Sequence, residues 1–266
     1  MLDKSEYLHP DKECLSREEI EALQLERLKK TVQHCYTNAF YKKRFDEMGI
    51  TPDDIQSLDD VRKLPFTTKQ DLRDNYPFGL ACVPLEKCTR LHSSSGTTGN
   101  PTVILHTQKD IDEWANAVAR CLHMVGLRPT DVFQNSSGYG MFTGGMGIHD
   151  GIAARGAIQL PTSSGNTVKQ IMLMQDFGST ALACTPSYAM HIAESIHASK
   201  IVSVNKMKLR AGFFGAEPWT EGMRKELERK LHIKAYDIYG LTEMSGPGVG
   251  GECECQNGTH LWEDMY

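Results

Sequence analysis

The chain of 266 residues carries a formal net charge of −5 and is 40% hydrophobic, enough to bury a sizeable core in one large domain or two small ones. An acidic balance with no basic stripe gives no electrostatic footprint for nucleic acid. No apolar run approaches the roughly 20 residues of a membrane span. The opening Met-Leu-Asp-Lys-Ser-Glu lacks the apolar heart of a signal peptide, so a cytoplasmic protein with small-molecule partners and mostly reduced cysteines is expected.

Ser16-Arg17-Glu18-Glu19 is a capping box, and Ile20, Leu23, Leu28, Val32 and Cys35 follow at near-helical spacing. The pattern predicts an amphipathic helix whose charges (Glu26, Arg27, Lys29, Lys30) form its solvated face. A second helix is predicted over Phe40–Met48, closed by Gly49, with Thr51-Pro52-Asp53-Asp54 capping another short one. Residues 1–85 read as a helical lead-in packed on a core of residues 86–266. A helix is expected over Ile111–Val125, where Trp114, Val118, Leu122 and Val125 recur at intervals of about three and four. Short apolar runs at 157–160, 180–184, Leu209–Phe214 and Ala235–Ile238 read as buried strands. Helical stretches at Asn166–Asp176, Tyr188–Ile196 and Thr220–Leu231 alternate with them, which predicts an α/β fold with a largely parallel sheet.

Four stretches carry candidate chemistry. Residues 92–103 are almost wholly glycine and short hydroxyl residues. Gly96 and Gly99 let the main chain approach a ligand, and Ser93, Ser94, Ser95, Thr97 and Thr98 add hydroxyl donors, as a polyphosphate cradle needs. Taken alone, the loop fits a solvated Ser/Gly turn better than a cradle, and it lacks the Gly-Lys-Ser/Thr ending of a P-loop. Gly215-Ala216-Glu217-Pro218 follows a strand and offers a flat wall for a planar base. Asp237-Ile238-Tyr239-Gly240-Leu241-Thr242-Glu243 also follows a strand, with an aromatic face, a hydroxyl and a carboxylate suited to stacking, phosphate bonding and Mg²⁺. In Ser137–Gly145, Tyr139 and Phe142 stand among glycines such as Gly144, as in the lining of an apolar pocket. A fifth cluster, Cys253, Cys255 and His260, has donors suited to structural Zn²⁺ with a fourth ligand unassigned; reduced surface cysteines beside a loop histidine are the alternative.

These motifs in this order, with Leu64–Arg73 and Trp262-Glu263-Asp264, resemble the N-terminal part of the phenylacetate-coenzyme A ligases, members of the adenylate-forming superfamily. The resemblance implies the superfamily's N-terminal α/β core. It also implies two steps: ATP and an arylacetate form an acyl-adenylate and pyrophosphate, and the coenzyme A thiol then displaces AMP. By matching position, Ser94–Gly99 (Ser94, Ser95, Gly96, Thr97, Thr98, Gly99) would bind the ATP phosphates. Gly215, Ala216, Glu217, Asp237, Ile238, Tyr239 and Gly240 would hold the adenine side of ATP or AMP. Thr242 would bind a phosphate and Glu243 the Mg²⁺; Tyr139, Phe142 and Gly144 would line the aryl pocket. Relatives suggest a homodimer. Asn100 stands where many relatives have lysine, and the chain stops before the family's ribose-binding aspartate, hinge and lysine-bearing C-terminal domain, so a truncated enzyme is expected. A non-catalytic nucleotide-binding or interaction module is the competing reading.

Overall fold

The computed structural model describes residues 4–94, 100–198 and 202–266. The chain divides into two compact units, Met1–Gln108 with Trp262–Tyr266, and Lys109–Leu261.

The first unit opens with α1 (Pro10–Glu13), α2 (Arg17–Cys35), α3 (Ala39–Glu47) and α4 (Lys69–Asp74), with single-turn or short 3₁₀ segments at Pro52–Asp54 and Leu58–Lys63. The capping box forms as expected: Ser16 Oγ accepts from the Glu19 amide, and the Glu19 carboxylate accepts from the Ser16 amide at 2.8 Å. These contacts satisfy two donors that the first helical turn otherwise leaves open. Val32, Phe45 and Ile55 form the buried centre, with Leu28, Tyr36 and Leu64 against them. Arg27, expected on the solvated face, instead donates to the Asp264 carbonyl. Arg17 pairs with Glu263 at 2.8 Å and Gln24 Nε2 donates to the Glu263 carbonyl at 2.9 Å, so α2 holds residues 262–266. An antiparallel hairpin, β1 (Cys88–Ser93) with β2 (Val103–Thr107), completes this unit.

The second unit is a sheet of seven strands with helices against it. The elements are α5 (Gln108–Met124), β3 (Val132–Asn135), α6 (Thr143–Arg155), β4 (Ile158–Pro161), α7 (Thr167–Asp176), β5 (Ala181–Cys184), α8 (Pro186–Ala198), β6 (Ala211–Gly215), α9 (Glu221–Leu231), β7 (Lys234–Leu241), β8 (Gly246–Glu252) and β9 (Thr259–Leu261). The strand order is β4-β3-β5-β6-β7-β8-β9. The pairs from β4 to β7 are parallel, while β7–β8 and β8–β9 are antiparallel. The chain leaves β3 toward β4 on one side and returns to β5 on the other. Right-handed crossovers in opposite directions place α6 on one face and α7, α8 and α9 on the other.

Strand alternation divides the core accordingly. Leu182, Phe214, Ala235 and Ile233 pack with Ile171, Met174, Ile192, Ile196, Leu227 and Leu231. On the opposite face Phe213 lies between Phe133 and Tyr236, at ring separations of 5.3 and 6.0 Å. The α5–α6 contact depends on small residues. Gly147 and Gly151, one turn apart on α6, face Trp114 and Val118, one turn apart on α5; a Cβ at either glycine would come within 2.2 Å of the facing side chain.

Candidate functional site

In an open α/β sheet, ligands bind outside the carboxyl ends of the strands, beside the point where strand order reverses. Here the carboxyl ends of β3, β6 and β7 lead directly into Ser136–Gly145, Ala216–Pro218 and Thr242–Glu243. Three of the predicted stretches therefore lie on one edge of one sheet. The loop Ser95–Gly99 lies outside the described residues. At its start, Ser94 N–H donates to the Thr102 carbonyl and Thr102 N–H donates to Ser94 Oγ, each at 3.0 Å, so this Ser94 hydroxyl acts as an acceptor.

Gly215 ends β6 where only a glycine fits: a Cβ there would lie 2.3 Å from the Ile238 carbonyl oxygen. The exposed Ala216 that follows has φ +69°, a left-handed conformation that costs an L-residue roughly 1–2 kcal/mol. Contacts on either side of Ala216 stabilise this geometry. Glu217 Oε1 accepts from the Ser187 amide at 2.6 Å, satisfying an open donor in the first turn of α8. The Trp219 ring meets Phe214 edge-on at 5.9 Å, and the Arg224 guanidinium lies over the Trp219 ring, 4.5 Å from its centroid. Arg224 is fixed by Glu252 through two bonds of 2.7 and 2.9 Å, and donates to the Ala235 carbonyl at 2.6 Å. Glu252 Oε2 also accepts the Asp237 amide at 2.8 Å. This ion pair is buried on both sides and joins α9 to β7 and β8.

Asp237 is half-buried on the α9 side of β7. Burial pushes its carboxyl group up from the usual range, and the hydrogen bond from Trp219 partly reverses that. Ile238 turns into the opposite face, while Tyr239 is exposed at the strand end. The β7–β8 register shifts between Tyr239 and Gly240, a bulge of the kind that re-aims side chains next to sites. Thr242 and Glu243, both half-exposed, share the single 3₁₀ turn Thr242–Met244.

At the end of β3 the buried Asn135 donates from Nδ2 to the Tyr139 hydroxyl and to the Gly145 carbonyl, both at 2.9 Å. Gln159 Nε2 donates to the same hydroxyl at 3.2 Å, and His149 Nδ1 lies 3.3 Å from it. Burial raises the Tyr139 phenol pKa, so the group stays neutral at physiological pH. The Tyr139 ring is fixed by these contacts, whereas Phe142 stands 55% exposed at the start of α6. Gly144 has open space where a Cβ would be.

A family model described as AMP-binding enzyme matches residues 42–261. The chain belongs to the AMP-binding enzyme family. It is 50% identical over 256 residues to a phenylacetate-coenzyme A ligase of Escherichia coli (strain K12), a match that covers 96% of this chain and 59% of that one. A phenylacetate-coenzyme A ligase of Thermus thermophilus is 47% identical over 259 residues, with 97% and 58% covered. The chain thus spans less than two thirds of these relatives. A crystal structure of 2-hydroxyisobutyryl-CoA ligase, in complex with 2-HIB-AMP and CoA in the thioesterification state, superposes with a TM-score of 0.91 at 28% identity. That match covers 99% of this chain and 58% of that chain.

In this member of the AMP-binding enzyme family, single-residue reading missed the groups that hold the site. Neither Arg224 nor Glu252 stood out as a candidate in the sequence. The possible metal ligands differ in fit. Glu243 supplies one carboxylate, which suits a cation held by one or two carboxylates and substrate phosphates. Cys253, Cys255 and His260 do not suit zinc as arranged: the described residues gather no group of three or more His, Cys, Asp or Glu side chains able to hold a metal. Cys253 and Cys255 sit together in the turn after β8, but His260 lies exposed in β9, paired with Gly251. Among the described residues no helix is long and apolar enough to cross a membrane.

Proposed function

We propose that this protein activates an arylacetic acid with ATP and transfers the acyl group to coenzyme A. The observation that carries this reading is the convergence of Gly215–Glu217, Tyr239–Glu243 and Tyr139–Gly144 at the carboxyl edge of one sheet, in a chain of the AMP-binding enzyme family. In the first step a carboxylate oxygen attacks the α-phosphorus and pyrophosphate leaves. In the second, the thiolate attacks the acyl carbon, the acyl C–O bond of the mixed anhydride breaks, and AMP leaves with that electron pair. Both steps require placement and charge neutralisation more than a protein nucleophile.

The backbone at Gly215–Ala216 offers a side-chain-poor wall to the adenine, and Tyr239 offers its exposed ring for stacking. Thr242 donates its hydroxyl to a phosphate oxygen, and Ser94–Gly99 receives the remaining phosphates. Glu243 would hold Mg²⁺, which supplies charge neutralisation on the phosphate oxygens. Tyr139, Phe142 and Gly144 form the apolar wall for the aryl group. We place the protein in the cytoplasm and expect a homodimer, following the resemblance to the ligases.

Pyrophosphate release from ATP, measured with phenylacetate and a panel of aryl and aliphatic acids, tests this reading. Release that depends on the acid and favours arylacetates is expected. AMP binding without release for any acid would leave a nucleotide-binding module in its place.

A further inference from the structure

We propose that Gln170 is a positioning residue for the acid wall at Tyr139, acting through the β4–α7 loop; this rests on the acid-activating reading above. Gln170 is 2% exposed in α7, and its carboxamide reaches groups that follow three strands. Nε2 donates to the carbonyls of Ser163 and Gly165 at 2.8 and 2.6 Å and to the Tyr188 hydroxyl at 3.0 Å. Oε1 accepts from Ser136 Oγ at 2.5 Å and Thr162 Oγ1 at 3.2 Å. Gln134 Nε2 lies 3.3 Å from the same oxygen. Gln134 and Ser136 belong to the end of β3, Thr162–Gly165 follow β4, and Tyr188 follows β5. One side chain therefore ties together the strand ends where the sheet order reverses.

The loop it holds is not a low-energy one. Ser163, Gly165 and Asn166 have φ of +59°, +83° and +46°, and the two non-glycine residues persist there only if their surroundings fix them. The loop in turn fixes the acid wall. Ser163 N–H donates to the Asn135 carbonyl at 3.1 Å, and Ser163 Oγ accepts from the Tyr139 amide at 3.4 Å. From Gln170 the contacts reach Tyr139 through Ser163 and, in parallel, through Thr162, whose hydroxyl also reaches the carbonyl of Asn135 at 3.2 Å, the residue that holds the Tyr139 hydroxyl. Among the described residues Gln170 itself makes no hydrogen bond to Gly215–Glu217 or Thr242–Glu243, so its loss should weaken acid binding and spare the nucleotide.

The direction of the hydrogen bonds supplies the test. Carbonyls of Ser163 and Gly165 can only accept, so the side chain at position 170 must donate toward them while it accepts from Ser136. A neutral glutamic acid keeps one donor for these carbonyls and an acceptor for Ser136, whereas a carboxylate offers acceptors alone. Gln170→Glu and Gln170→Leu are made in this chain. AMP is titrated calorimetrically, and phenylacetate is titrated at saturating AMP, at pH 6 and pH 8. Burial raises the introduced carboxyl group's pKa, so Gln170→Glu should bind phenylacetate within about twofold of the unmodified chain at pH 6 and at least about tenfold more weakly at pH 8, with AMP affinity unchanged. Gln170→Leu should bind phenylacetate weakly at both values. Equal loss of AMP and phenylacetate affinity, or phenylacetate affinity that ignores pH in Gln170→Glu, overturns the positioning role. An unmodified chain that binds neither ligand overturns the acid-activating reading itself.

Discussion

Two glycines of the site separate a packing requirement from a binding one. A Cβ at Gly240 would lie 1.8 Å from the Gly246 carbonyl oxygen, while one at Gly144 meets nothing within 4 Å. Backbone cannot yield cheaply, so Gly240→Ala is expected to cost about 3 kcal/mol or more and lower the melting temperature. Gly144 lies in α6 with an ordinary φ, so Gly144→Ala should stabilise the fold by about 0.5–1 kcal/mol. If that methyl group projects into the acid wall, the same variant binds phenylacetate more weakly while melting higher, and calorimetry alongside thermal melts reads both. Asp131 gives the pH-dependent case. Burial pushes its carboxyl up, but Arg210, the Thr180 hydroxyl at 2.7 Å and the Arg128 amide at 2.6 Å together hold it below the usual range. A depressed folded pKa contributes stability above the unfolded value near 3.9 and loses it as pH falls through the folded value. Asp131→Asn should therefore be about 1–3 kcal/mol less stable than the parent at pH 7, with the gap closing below about pH 4 in denaturant titrations.

At the scale of elements, the buried pair between α9 and β8 is the joint that the site depends on. Removing the Glu252 side chain leaves the Arg224 guanidinium buried without its partner, and breaking such a pair costs about 3–5 kcal/mol. Glu252→Ala should lower stability by that amount. It should also loosen Trp219 and the left-handed Ala216 beside it, so weaker AMP binding is expected from a variant that remains folded. Glu252→Gln, which keeps an acceptor for the Asp237 amide, should fall between. This joint was invisible in the sequence because α9 and β8 meet only through the antiparallel return of the sheet. Alternating apolar runs revealed the helices α2, α5, α7, α8 and α9 and the strands β4, β5, β6 and β7. They missed β3, whose Val-Phe-Gln-Asn holds two polar residues that face a buried network, and β8, whose Gly-Pro-Gly-Val-Gly-Gly-Glu looks like a loop. Those glycines are there because α5 and α6 press against the strand: a Cβ at Gly246 or Gly248 would strike Trp114 or Val118 at 2.6 and 2.5 Å. Ser137–Gly145 carried no helical signal, whereas α6 begins at Thr143 within it, since glycine-rich composition hides a helix packed closely against its neighbour.

For the molecule as a whole, the sheet's carboxyl edge ought to behave as one ligand-linked surface. A ligand that binds only the folded state stabilises it by RT ln(1 + [L]/Kd), about 2.7 kcal/mol at a hundredfold excess over Kd. For a chain of this length each kcal/mol moves the melting temperature by roughly 2–4 °C. AMP at that excess should then raise it by about 5–10 °C. The shift localises the site when read in variants. Gly215→Val, whose side chain would meet the Ile238 carbonyl and occupy the adenine wall, should reduce the shift as well as the starting stability. Thr242→Ala removes a half-exposed hydroxyl and no backbone bond; it should leave the unliganded melting temperature within about 1 °C and lower only the AMP-induced shift. A nucleotide bound elsewhere on the chain would instead give the full shift in Thr242→Ala. That comparison decides whether β6 and β7 present a single nucleotide surface, since it requires two residues on neighbouring strand ends to act on the same ligand by different physical routes, one through shape and one through a hydrogen bond.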